Sequence, residues 1–160
     1  MAQDVWQADA ETQKLMLEVK SQHHPGLAEA NIDVVFKEAM PTRNGTTPLG
    51  KARRVSGVYK AMVSADFLII LNNEEWQKMD DEKRRAVLDH ELCHCAPKYD
   101  DDGCLTGWTM QDHDFEEFEE IVERHGPYTR RAESMGRTVL RQKALFERDR
   151  ACSPDEKQER

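Results

Sequence analysis

The feature that most constrains this chain is an unbroken stretch from Lys83 to Ala96, preceded by Asp80-Asp81-Glu82 and stopped by Pro97, that carries His90-Glu91-Leu92-Cys93-His94. Acids favour the positive end of a helix and proline cannot continue one, so the stretch is expected to be helical with the motif in its last turns. Leu88, Leu92 and Cys95 share one stripe of that helix, the side expected to dock on a sheet. Residues four apart on a helix have Cβ atoms about 6 Å apart on one face, which lets both imidazoles reach a single ion. The residue after the first histidine is a quarter-turn away, near enough to touch a water at that ion without being committed to the metal. This is the H-E-x-x-H zinc signature. With six histidines and seventeen glutamates in 160 positions, roughly 2% of shuffled chains would contain it, so the spacing is informative.

A catalytic zinc takes three protein ligands and keeps a position open for water. His113, near the start of the next helical pattern (Gln111 to His125), is the leading candidate for the third; Glu116 and Glu117 are the rivals. The metzincin pattern fails, because Pro97 stands three residues after His94 and Asp100 three further on. Cys93 and Cys95 are expected to be small buried side chains, and His23 and His24 to favour the end of an opening helix.

That helix is expected over residues 10–22, before His23-His24-Pro25-Gly26. Asn31 to Lys37, Arg53 to Met62 and Ala65 to Leu71 read as strands, which makes a three-stranded sheet and an α+β fold. Pro97 to Met110 reads as an exposed polar loop, and a further helix is expected from Arg130 to Phe146. The organisation expected is a flexible start over 1–10, one domain over 11–148, and a disordered charged tail over 149–160.

Charge narrows the function. A formal charge of −8 argues against general nucleic-acid binding, which needs clustered cations. Ala39 to Ser64 nevertheless holds Arg43, Lys51, Arg53, Arg54 and Lys60 and no acid, while Tyr99 to Glu123 holds ten acids and no lysine or arginine. Nucleic-acid binding is therefore expected to be absent or weak. The longest apolar run, Phe67 to Leu71, is far short of the ~20 residues of a membrane span, and Met1 to Ala10 lacks the basic start of a signal peptide. A cytoplasmic location and free thiols are the expectation.

Leu88-Asp89-His90-Glu91-Leu92-Cys93-His94-Cys95, then His113-Asp114-Phe115-Glu116-Glu117-Phe118 and Arg124-His125-Gly126, with Arg53-Arg54-Val55-Ser56-Gly57, Ala65-Asp66-Phe67 and Trp76 upstream, resembles the putative phage metallopeptidase family, itself similar to SprT-like zinc proteases. Asp114 stands where the SprT-like pattern has glycine. The resemblance implies a zincin-like minimal fold, one Zn²⁺ held by His90, His94 and His113, Glu91 as general base, and a peptide or protein substrate in a host cytoplasm. Tyr99, Trp108, Tyr128 and Arg124 are candidates to stabilise the oxyanion, and the Ala65 to Leu71 strand to offer an edge for an extended peptide. The rival is an inert zinc-stabilised binding protein, against which Glu91 speaks because a structural site has no use for a base.

Overall fold

Two aspartate caps set the frame. Asp9 accepts a hydrogen bond from the Thr12 N–H at 2.7 Å and opens α1 (Ala10–His23), and a short α2 (Asn73–Trp76) precedes Asp80, which accepts from the Lys83 N–H at 2.8 Å and opens α3 (Asp81–Cys93). Such caps satisfy donors that the first turn of a helix leaves without partners. The computed structural model describes residues 4–112 and 119–126, and the chain up to His125 belongs to one compact unit.

The sheet contains β1 (Val5–Gln7), β2 (Ile32–Lys37), β3 (Gly50–Arg54) and β4 (Phe67–Asn72) in the order β1-β2-β4-β3. β2 and β4 run parallel, with Ile32 beside Phe67 and Phe36 beside Leu71; β1 and β3 flank them antiparallel. This register places Val34, Phe36, Phe67, Ile69 and Leu71 on one face, all buried, where Met16 and Val19 of α1 and Leu88 and Leu92 of α3 cover them. Each such side chain contributes about 1.5–3 kcal/mol on leaving water. Val35, Leu68 and Ile70, on the other face, are only half-buried.

The fold is α+β, with a sheet of four strands where three were expected. Val5–Gln7, in a stretch expected to be flexible, pairs with Val35–Lys37 and sets the Trp6 ring 6.0 Å from Phe36. The strand expected over Arg53 to Met62 lies earlier, at Gly50–Arg54, because Gly57 at φ 61° turns the chain into a 3-10 segment over Gly57–Ala61. The expected loop after Pro97 is a hairpin, β5 (Cys95–Tyr99) with β6 (Leu105–Met110). Its polar tip is closed by Asp100 Oδ1, which accepts from the N–H groups of Asp102 and Cys104. Pro97 is tolerated because a two-stranded ribbon has only edges. α3 consequently ends at Cys93, before Cys95 begins β5.

Of the helix expected over Gln111 to His125, Glu119–His125 is described and forms α4; Gly126 follows at φ 68°, the left-handed stop that ends many helices. His113, Glu116, Glu117, Tyr128, the expected helix Arg130 to Phe146 and the tail over 149–160 lie outside the described residues. Among the described residues no helix is long and apolar enough to cross a membrane.

Candidate metal centre and its supports

The last turn of α3 brings His90 and His94 together, with ring centroids 5.1 Å apart and planes at 75°. His94 caps the helix in αR conformation, so the i, i+4 relation survives to its end. The Nδ1–H of His94 donates to the Gln111 carbonyl at 2.8 Å, and the Gln111 N–H donates back to the His94 carbonyl at 2.8 Å. A neutral ring that donates through Nδ1 carries its lone pair on Nε2, a tautomer that can ligate a metal through that atom. Two imidazoles so placed fit a transition-metal ion.

Glu91 is buried between this turn and the sheet edge, at 4% exposure. Its carboxyl lies directly against Gly50 at the start of β3: a Cβ on Gly50 would stand 2.9 Å from Oε1 and 3.2 Å from Cδ. Gly50 is therefore glycine because the carboxyl occupies the place of its side chain. Asn72 sets the approach, its side chain donating to the Pro48 carbonyl at 3.0 Å and its backbone N–H to Leu49 at 2.9 Å. Behind the turn, the Cys95 thiol donates to the Glu91 carbonyl at 3.6 Å, and burial together with the Glu91 charge pushes the pKa of that thiol up to about 12. Cys95 is thus a packed, inert thiol.

The neighbouring face of α3 holds a second cluster. Asp89, with no exposed side-chain surface, accepts from His24 Nε2 at 2.6 Å, from Arg124 Nη1 at 2.6 and 2.8 Å, and from His125 Nε2 at 2.7 Å. Burial opposes its charge, but the hydrogen bonds from His24, Arg124 and His125 outweigh burial and hold the carboxyl well below the usual carboxylate range. His24, Asp89 and Cys93 also bring ligand atoms within 4.8 Å of one another, a possible metal-binding group. Both Asp89 oxygens already accept two hydrogen bonds, and a cation there would have to compete with the Arg124 guanidinium. The cluster acts as a clamp between the end of α1, α3 and α4.

The structure thus brings His90, Glu91 and His94 to one turn. Arg124 is engaged with Asp89 rather than poised for an oxyanion, and Trp108 packs its ring 5.9 Å from Phe67. The Ala65 to Leu71 strand is central as β4, with both edges taken, so the edge beside Glu91 belongs to β3. Sequence reasoning missed Gly50, Gln111 and the union of His24, Asp89 and His125, whose partners lie 65 and 36 residues apart. The one available signal was the placement of Asp89 next to His90.

Two histidines and a buried glutamate on one helical turn of a small α+β domain form an arrangement that metallopeptidases use. The chain belongs to the family described as "Putative phage metallopeptidase", whose model matches residues 4–142. No curated protein and no solved structure matches it.

Proposed function

We propose that the protein is a zinc-dependent metallopeptidase of zincin type, with His90, His94 and His113 as metal ligands and Glu91 as general base. The observation that carries this reading is the pairing of two imidazoles 5.1 Å apart with a buried carboxylate one residue along the same turn. His113 follows Gln111 by two residues, a span of at most about 7 Å, and Gln111 is tied to His94 in both directions, so chain reach favours His113 as third ligand over Glu116 or Glu117. A bound zinc supplies Lewis-acid polarisation of the scissile carbonyl and a lowered pKa for the attacking water. Glu91 takes the proton of that water and delivers it to the leaving amine. Gly50 lets β3 approach the Glu91 carboxyl, and the outer edge of β3, with which no described strand pairs, aligns an extended peptide beside it.

Two further parts of the reading are work in a host cytoplasm, which the family resemblance implies, and nucleic-acid binding that is weak and lost by about 0.2 M salt, which the net charge of −8 implies. A second reading is an inert zinc-stabilised binder, in which His90, His94 and His113 hold the metal without turnover. Glu91→Gln separates the two. In the enzyme it preserves shape, leaves zinc content and melting temperature nearly unchanged, and lowers peptide cleavage by about 10²–10⁴-fold. Undiminished cleavage in Glu91→Gln would sink the mechanism; a zinc-loaded wild type that leaves a broad peptide library intact favours the binder.

A further inference from the structure

The outer edge of β3 has a definite hydrogen-bonding phase. The Asn72 N–H donates to the Leu49 carbonyl and the Val55 N–H to the Asp66 carbonyl, so in an antiparallel ladder the odd-numbered residues of β3 face β4. Gly50, Ala52 and Arg54 therefore direct their backbone N–H and C=O groups outward, and among the described residues no strand pairs with that side. Side chains alternate in the other sense. Gly50 and Ala52 face α3, whereas Lys51 and Arg53 stand exposed on the opposite face, across from Ile70 and Leu68. Neither Lys51 nor Arg53 makes an ion pair among the described residues, and Asp33, in register with Leu68, lies two strands from Arg53, roughly 10 Å. Arg54 is committed to the Trp108 carbonyl at 3.0 Å. A strand edge that begins against the Glu91 carboxyl thus carries two cations, two residues apart, that no described residue pairs with, in a chain of net charge −8.

Resting on the peptidase reading of Glu91, we infer that the substrates are acidic peptide segments, bound as an added strand on β3 with Asp or Glu at alternate positions beside Lys51 and Arg53. An added strand places every second side chain on the outer face, next to these two residues, and the intervening ones on the face of Glu91. Each opposite-charge pair across a strand is worth roughly 1.4- to 5-fold, so two pairs give an acid preference of roughly two- to thirtyfold. Edge charges also keep copies of a chain from pairing, but that role accepts either sign. Substrate selection demands the positive one.

The test is a mixed peptide library incubated with the zinc-loaded full chain and read by mass spectrometry, for wild type and for the Lys51→Glu/Arg53→Glu variant, with Lys51→Gln and Arg53→Gln as milder substitutes should the double variant fail to fold. The expected result is Asp and Glu enriched over Lys and Arg at alternating positions around cleaved bonds, with the enrichment lost in the neutral variants and reversed in the double one. Cleavage without acid enrichment, or enrichment that the variants leave unchanged, overturns the inference and leaves the peptidase reading standing. If the wild type cleaves nothing, the peptidase reading fails, and retention of the same library on immobilised protein decides: an acidic bound fraction that the variants lose supports the edge, an unselective one overturns it. Single-stranded DNA displacing the acidic fraction at lower concentration than acidic peptide overturns it in favour of a nucleic-acid surface.

Discussion

Asp89 and Cys93 on one side of α3, and His90 and His94 on the next, are one residue apart in sequence, yet the two sets have different chemical fates. Around Asp89 a buried carboxylate is saturated by two imidazoles and a guanidinium, so its charge is spent on holding α1, α3 and α4 together. The His94 ring donates through Nδ1 to the backbone carbonyl of Gln111, a neutral acceptor. The comparison sets a carboxylate whose acceptor positions are filled beside a pair of imidazoles on one turn, and the proposed metal site falls on the second.

Breaking the clamp has the largest expected effect. Asp89→Ala removes the buried carboxylate that His24, Arg124 and His125 share, at a cost of about 3–5 kcal/mol, or on the order of 10–20 °C in melting temperature for a unit of this size. Because the folded carboxyl is held below its unfolded value near ~3.9, its stabilisation is complete above that pH and lost as pH falls towards the folded value. Melting curves should show the gap between wild type and Asp89→Ala in full at pH 5–7 and narrowing below about pH 4; a gap of constant size would mean that Asp89 acts through packing alone.

The other side of the helix sharpens the contrast through activity. Gly50→Ala forces the Glu91 carboxyl to move, and displacement of a catalytic group by about 1 Å costs up to ~10²-fold, so kcat should fall about 10- to 100-fold with little change in melting temperature. Gly26→Ala, whose Cβ would meet Pro97 at an ordinary 3.6 Å, is the neutral control. Equal activities in the two variants would remove Gly50 from the account. The smallest effect concerns the thiols: in the native protein alkylation mapped by mass spectrometry should modify exposed Cys104 and spare Cys95, which reacts only on unfolding. Modification of native Cys95 would show that this turn opens.

Much of the α3 half was legible in sequence, because periodicity, acidic N-terminus and H-E-x-x-H are local signals: the start of the helix, its motif and the apolar β4 strand stand where expected, while the helix ends at Cys93 and Cys95 opens β5. What escaped depends on distant partners. Val5–Gln7 is a strand because Phe36 and its neighbours offer an edge, and nothing within three residues announces that. The β5–β6 ribbon is rich in polar residues because it is a two-stranded surface element, and polarity was read as loop. β3 was placed late because Arg53-Arg54-Val55 has strand composition, whereas the position that fixes its start is Gly50, a glycine whose reason is the Glu91 carboxyl 41 positions away. The Asp89 clamp escaped for the same cause, since His24 looked like an ordinary helix-end histidine and its partners Asp89 and His125 are distant in sequence.

The central claim, that the metal belongs to the His90 and His94 face and not to the Asp89 and Cys93 face, is tested most directly by zinc stoichiometry in purified protein. The account predicts one zinc per chain in wild type and in Cys93→Ser, and none in His94→Ala. Zinc retained by His94→Ala and lost from Cys93→Ser would contradict it.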